Sequence, residues 1–440
     1  MEEWAWVEDV ERTLGEADVS VEMSRWQQPS IYRVPSFIKD LNPSAYRPQV
    51  VSLGPFHHGR LELLPMEEHK RRALQHLLRR AGRPLMKEFL AAVHDAAEQL
   101  EGAYGVDLGR EWRGEGEGRK RFVALMIVDG CFMLEVIRAT SVDHGGYAPN
   151  DPIFSYHGVL YMVPYIRRDM LMLENQLPLL LLEKLVAVET VKPVNADAIN
   201  RMVLRFLSSS SSSPRRLPPS AGATLCLHAL DVHRRNMLYG HYQNPPRWRD
   251  VPETDIIRSA VELYKAGIRF KKSISDSLHD IRFRHGVLSM PAVTLDDSTK
   301  DMFLNMMAFE RLHVGAGNEV TAYVFFMDCM INSDKDVALL SSEGIIQNAA
   351  GSDKAVMRLF SSISKDLVLE PESVLDAVRR EVNAYCRKPW NMWRANLLQT
   401  YFRAPTSFIN FVAAATGLVI TVISTVYTIL SFYKQLSGSR

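Results

Sequence analysis

Residues Arg121–Ala139 read RFVALMIVDGCFMLEVIRA, apolar almost all the way round a helical wheel. A helix without a polar face is stable only where other elements cover every side of it, so this stretch predicts a central buried helix inside a layered helical body. Its two acids, Asp129 and Glu135, are six residues apart. That spacing turns them roughly 240° from each other on a helix, too far for one acid–base pair, so each is expected to find a basic neighbour such as Arg138.

Upstream, the pattern becomes helical from Pro65: Leu74, Leu77, Leu78 and Ala81 share a face, and Met86, Phe89, Leu90, Val93 and Leu100 continue the rhythm. Lys70, Arg71, Arg72, Arg79 and Arg80 decorate the first of these helices, where a solvated face is expected and a patch for headgroups or an acidic partner is the alternative. Further back, Ile31–Gly59 (IYRVPSFIKDLNPSAYRPQVVSLGPFHHG) is rich in proline and aromatics, which suits an extended, structured loop laid over a core. Residues 1–30 form an acidic leader, read as flexible, with Glu2, Glu3, Glu8, Asp9, Glu11, Glu16, Asp18 and Glu22 where a secretion signal needs a basic start and an apolar run. No cleavable signal is expected.

Downstream, Met170–Val188 is apolar but interrupted by Glu174-Asn175-Gln176-Leu177-Pro178. Pro178 is expected to begin a new helix, with Glu174, Asn175 and Gln176 as a structural polar cluster serving the backbone groups freed at the break. Ser208–Ser213 followed by PRRLPPS marks a linker or surface loop at 208–220 within a helical body spanning 31–400. Between Ala266 and Asp297 the apolar period shortens toward two, predicting short strands with a turn at Gly286 and hence a small antiparallel β element. Helical patterns return over Thr299–Cys329 and Asp336–Tyr385, with Ser352 or Asp353 as an N-cap.

The anchor region, 404–434, contains Phe408–Phe432, FINFVAAATGLVITVISTVYTILSF, in which thirteen residues are Leu, Ile, Val or Phe and none is charged. As a helix it is long enough to cross a hydrocarbon core of about 30 Å, so one transmembrane span in a lipid bilayer is expected, with ends at Phe408 and Phe432. The fold class is therefore mainly α: a large helical domain, a small antiparallel β element and one C-terminal transmembrane helix. Arg387, Lys388, Arg394 and Arg403 precede the span against Lys434 and Arg440 after it, which points to a cytosolic body at the plasma membrane or an endomembrane. Ala413, Gly417, Thr421 and Thr425 recur every four residues, a stripe suited to self-association of the helix as a homo-oligomer.

A net charge of +1 and the absence of basic runs interleaved with aromatics exclude a nucleic-acid-binding reading. Cys131, Cys226, Cys329 and Cys386 are dispersed, with no CxxC pair, and His57-His58 lack a third ligand at a fixed spacing. No nucleophile elbow, phosphate loop, dinucleotide fingerprint, HExxH or EF-hand pattern occurs, and Asp328, Asp334 and Asp336 read as helix-end charges. No catalytic residue, metal site or cofactor is assigned.

Several segments in order resemble the plant family called domain of unknown function 247, or uncharacterised protein family 0481: IYRVP at Ile31–Pro35, YRPQVVSLGPFHHG at Tyr46–Gly59, MEEHK at Met66–Lys70, MLENQLP at Met172–Pro178, AGIRFK at Ala266–Lys271 and FMDCMI at Phe326–Ile331. Ala404–Ser407, APTS, departs from the pattern at a place where a Pro-Trp pair is expected. The resemblance implies a membrane-anchored plant protein without assigned chemistry; some relatives map to grass self-incompatibility loci and are thought to act through protein contacts. The expected function is accordingly interaction, recognition or signalling through protein partners. A membrane-tethered hydrolase or transferase is the alternative, and it requires Glu174, Asn175, Asp129 and His57 to converge in one pocket.

Overall fold

The computed structural model describes residues 6–7, 10, 29–114, 116–140, 146–208, 224–239, 257–365, 374–389 and 405–437. The acidic leader and the Ser/Pro-rich stretch at 208–220 fall almost wholly outside these residues. The first half is built from α1 (Leu64–Ala81), α2 (Leu85–Asp95), α3 (Glu117–Ala139), α4 (Val163–Asp169), α5 (Leu179–Thr190), α6 (Ala196–Leu207) and α7 (Ala229–Met237). The second contains α8 (Thr299–Leu312), α9 (Glu319–Met330), α10 (Asp334–Ser342), α11 (Asp353–Ile363) and α12 (Val374–Cys386), and the last described element is α13 (Pro405–Ser437). The protein is mainly helical, with a few short strands and one apolar C-terminal helix.

α3 is the central helix, and α1, α2, α5 and α6 pack around it. Its apolar run leaves no side free for solvent: from Phe122 to Ala139 nearly every side chain is buried, Asp129 and Glu135 included. α5 crosses so close at Gly130 that a Cβ there would lie 2.5 Å from Leu185 and 3.1 Å from Leu181. This first core ends in α7 with Ala229 and Val232. A second core gathers Phe303, Phe309, Val320, Tyr323, Met327 and Phe360 from α8, α9 and α11, and also takes in Val34, Ala45, Tyr46, Leu173 and Leu230 from the first half of the chain. The two lobes therefore exchange segments, and the seam between them is made by residues 31–59, 170–178 and 227–234.

The strands lie in the second lobe. β2 (Arg282–Arg284) and β3 (Val287–Met290) form the expected antiparallel hairpin around Gly286, with Phe283 opposite Leu288. Both turn residues, His285 and Gly286, have positive φ (50° and 80°), as a two-residue turn matched to strand twist requires. β1 (Arg269–Lys272) adds in parallel on the other edge of β3, making the sheet mixed, and β4 (Val293–Leu295) pairs in parallel with β5 (Ile346–Asn348). β5 has no alternating run long enough to be read from sequence. Ser352 caps α11 by accepting from the Ala355 N–H at 3.2 Å. Asp334 and Asp336 do sit at a helix end: Asp336 accepts from the N–H and hydroxyl of Ser333 at 2.9 and 2.7 Å, closing a capping box on α10.

α13 is 33 residues long, about 50 Å at the usual helical rise. Within it Val412–Ser431, 20 residues of mean hydropathy 1.9, is long and apolar enough to cross a membrane and has no part buried in the body.

His228 joins the lobes and caps α7. Its Nδ1 accepts from the Asp231 N–H at 3.2 Å, its Nε2 lies 3.0 Å from the Ser30 carbonyl, and its ring meets Phe309 edge-on at 5.0 Å. Only the neutral ring can accept at one nitrogen while donating at the other. Burial pushes the His228 pKa from 6.5 down to about 4. The unfolded chain takes up this proton first, so the stabilisation is complete above about pH 6.5 and is lost as pH falls toward about 4. At 1.36 kcal/mol per pH unit the loss amounts to about 3 kcal/mol. Urea unfolding of the detergent-solubilised chain from pH 7 to 4 should show this slope, and His228→Asn, which keeps a cap acceptor without a titrating ring, should flatten it.

Candidate functional site

Residues 46–59 run extended across the first lobe without joining a sheet, so their backbone groups need partners from side chains. Asp169, the last residue of α4, accepts from the N–H groups of Gln49 at 3.0 Å, Val50 at 2.7 Å and Val51 at 3.0 Å. Asn175 follows on: its Oδ1 accepts from the Leu53 N–H at 2.7 Å, and its Nδ2 donates to the carbonyls of Val51 and Asp169, both at 3.0 Å. The Gly54 N–H then donates to Asp129 Oδ2 at 2.8 Å. Gly54 has φ of +74°, and a Cβ on it would lie 2.6 Å from the Tyr104 hydroxyl, which itself donates to the Gln176 carbonyl at 2.9 Å. Conformation and space both demand glycine here.

Glu174 and Gln176 turn to the other side of the seam. Glu174 Oε1 accepts from the Val34 N–H at 2.7 Å and Lys39 Nζ at 2.5 Å, while Oε2 lies 3.3 Å from His57 Nε2. Burial opposes ionisation of Glu174, but the bonds from His57, Lys39 and Val34 outweigh it and hold the carboxyl below its ordinary pKa. Burial likewise lowers the His57 pKa. Gln176 Nε2 donates to the carbonyls of Met170 at 2.6 Å and Met172 at 2.7 Å, groups left over where the chain leaves α4, and its Oε1 accepts from the Leu230 N–H at 3.2 Å. Pro178 is the N-cap of α5. The three consecutive polar residues thus bind backbone from three separate parts of the chain.

A second polar centre lies under the same segment. Lys70, with no solvent exposure, places Nζ 2.7 Å from both Asp129 Oδ1 and Glu67 Oε1 and 3.2 Å from Ser52 Oγ. The expectation of a solvated basic face on α1 is corrected at this residue. Met66, Lys70, Ala73 and Leu77 are its buried positions, so Lys70 lies on the core-facing stripe, and its spacing from Met66 and Ala73 is the signal that identifies it. Arg72 pairs with Asp151 and Arg80 with Glu135. Glu135 also receives Arg138 at 3.0 Å and the Tyr147 hydroxyl at 2.8 Å. Asp169 and Asn305 carried no sequence signal. Asn305 accepts from the Leu173 N–H and donates to the Ala45 carbonyl, both at 2.8 Å, and so extends the network into the second lobe.

His58 leaves the cluster to meet Trp112 edge-on at 5.5 Å. Among the described residues no group of His, Cys, Asp and Glu has the arrangement of a metal site. Burial raises the thiol of Cys226 to about 12 and that of Cys329 to about 11, so neither is a thiolate at neutral pH. Phe408 and Phe432 both fall within α13. Ala413, Gly417, Thr421 and Thr425 lie along that helix, where the Thr421 and Thr425 hydroxyls donate to the carbonyls of Gly417 and Thr421 at 2.8 Å.

Four of the six segments that carry the resemblance to plant proteins, Ile31–Pro35, Tyr46–Gly59, Met66–Lys70 and Met172–Pro178, are tied together by this network, and a family model described as "Plant protein of unknown function", DUF247, matches residues 31–420. The chain belongs to the DUF247 family. An Arabidopsis thaliana relative named "UPF0481 protein At3g47200" is 30% identical over 433 residues, covering 93% of this chain and 88% of the relative. "Putative UPF0481 protein At3g02645", from the same plant, is 22% identical over 511 residues, covering 94% and 92%. No solved structure matches. In this DUF247 chain the motif residues Glu174, Asn175, Gln176 and His57 bond to one another's segments, and none of them lines the clefts of about 450 and 220 Å³ that open elsewhere on the body.

Asn175→Leu removes three bonds to buried backbone and should lower stability by about 3 kcal/mol or more, read by urea unfolding in detergent. Lys70→Met should cost about 3–5 kcal/mol by stranding Asp129, and adding Asp129→Leu should restore part of that loss. An additive cycle would show that the two charges are not coupled.

Proposed function

We propose that this DUF247 chain is a membrane-anchored interaction and recognition protein, with its body on the cytosolic side of a plasma-membrane or endomembrane bilayer. The observation that carries this reading is the uncovered apolar stretch Val412–Ser431 of α13. In water that surface has no counterpart among the described residues, whereas a hydrocarbon layer matches its length and composition. Its hydroxyls suit lipid as well: Thr416, Thr421, Thr425 and Thr428 each donate to a carbonyl one turn back, at 2.8 Å. The excess of Lys and Arg before the span supports the cytosolic placement of the body.

Protein contact, rather than hydrolysis or group transfer, is the activity proposed. Glu174, Asn175 and Asp129 accept from backbone N–H groups, His57 faces Glu174, and none of the four lines either cleft, while the body exposes more than half of Tyr156, Leu160, Tyr161 and Tyr165. Aromatic surface of this kind is typical of protein interfaces. A recognition role of the type linked to grass relatives would run through such surface, and lateral pairing of anchors along Ala413–Thr425 is the form of self-association this reading allows.

Deletion of 405–440 should release the body into the soluble fraction; a truncated protein that stays with carbonate-washed membranes would overturn the anchor. Protease added to sealed vesicles should digest the body of the full chain. Protection of the body would reverse the proposed orientation.

A further inference from the structure

Below the seam, between α4, α6 and α7 on one side and β4 and the start of α8 on the other, lies a cleft of about 450 Å³. The His233 ring on its wall is engaged, with Nε2 3.1 Å from Met302 Sδ; beside it, Arg167 and Asn236 each leave a polar atom without a partner among the described residues, one a donor and one an acceptor. Arg167 Nε is buried and has no hydrogen-bond partner among the described residues. Its guanidinium rests on the Phe206 ring, 4.8 Å from the centroid, and meets no carboxylate there. Asn236, 6% exposed, has a buried Oδ1 that likewise lacks a donor. Buried groups of this kind are costly unless something outside the chain completes them.

The other charges of the cleft have partners. Arg168 pairs with Asp301 at 2.8 Å and bonds Gln49. Asp296 Oδ1 takes four bonds, from the N–H and hydroxyl of Ser298 at 3.0 and 2.8 Å and from those of Thr299 at 2.9 and 2.7 Å. Asp276 is engaged too. Asp296 remains a carboxylate held by neutral donors, and Arg167 is a cation of the cleft that meets no carboxylate; burial lowers its pKa. Leu171, Met237, Leu278 and Met302 supply apolar wall. The volume falls within the range of about 300–1,000 Å³ usual for small-molecule sites.

We infer that this cleft binds a small organic acid bearing a hydroxyl or amine, with its carboxylate on Arg167, its O–H or N–H donated to Asn236 Oδ1 and its apolar body against the Leu and Met wall. A carboxylate suits a guanidinium, whose N–H groups lie in one plane and match its two oxygens. This goes beyond the proposed interaction role and does not depend on the anchor.

The test is calorimetry of the full chain in detergent with 3-phenyllactate as probe, beside 3-phenylpropanoate, which lacks the hydroxyl, and 3-phenylpropane-1,2-diol, which lacks the carboxylate. Phenyllactate should bind, phenylpropanoate more weakly, and the diol not measurably. Arg167→Gln should weaken phenyllactate about ten- to hundredfold. Asn236→Leu should lower phenyllactate to the affinity of phenylpropanoate and leave the latter unchanged. If Arg167→Gln does not fold, the ranking of the three compounds and the Asn236→Leu result still decide. No heat with phenyllactate at millimolar concentration, equal binding of the diol, or full affinity in Arg167→Gln would each overturn the assignment.

Discussion

An extended segment that belongs to no sheet must still satisfy its backbone, and this requirement organises the whole body. Residues 46–59 lie over α3 with buried N–H groups that no strand receives, so Asp169, Asn175 and Asp129 receive them. In a buried setting each missing partner costs about 1–3 kcal/mol, comparable to a sizeable share of a domain's net stability. The helices that carry these acceptors are fixed in turn: α3 must present Asp129 beneath Gly54, and α4 must end at Asp169. Removing any one acceptor leaves the remaining contacts in place but no longer compatible with a dry interior.

The helical character of the chain was legible because periodicity and apolarity are local properties. Arg121–Ala139 could be read as central from its composition alone, since no helix with that surface survives at a boundary with water. The apolar length of the C-terminal helix was legible for the same reason. Glu174, Asn175 and Gln176 could be singled out as polar residues in an apolar run, and their service to the carbonyls at the end of α4 could be argued, but not their reach to Val34, Leu53 and Leu230. Those partners are distant in sequence, and nothing in a single chain records which distant N–H lacks an acceptor. Lys70 is the instructive error: weighing its charge rather than its place in the rhythm Met66, Lys70, Ala73, Leu77 put it in solvent, whereas position prevailed and a carboxylate was provided to match. The parallel pairing of β1 with β3, and of β4 with β5, was invisible because strands of three or four residues hold too few alternations to specify a partner.

Asp169 apart, which rests on backbone N–H groups, several buried charges of this protein are paired. Asp129 with Lys70, Glu135 with Arg80 and Arg138, and Glu310 with Arg234 each combine an ion pair with further hydrogen bonds; Glu310 also accepts from the N–H groups of Val320 and Thr321 at 3.0 and 2.9 Å. Such groups contribute little net stability compared with apolar replacements of the same shape, but they penalise any alternative packing that separates the partners. Arg167 departs from this pattern, a half-buried guanidinium over the Phe206 ring that meets no carboxylate.

The exchange of segments between the lobes has a kinetic side. Ala45 is bonded to Asn305 and Tyr32 to His313, contacts that span 260 and 281 residues of chain. Closing loops of that length costs entropy before any reward is collected, so folding is expected to be slow for a helical protein. Until Asn305 docks, Ala45, Tyr46 and Leu173 have no second lobe to cover them. A nascent or heat-shocked chain therefore carries, near its start, an apolar and hydrogen-bond-hungry strip that persists for as long as the second lobe is absent: a surface on which holding chaperones can act and from which aggregation would begin.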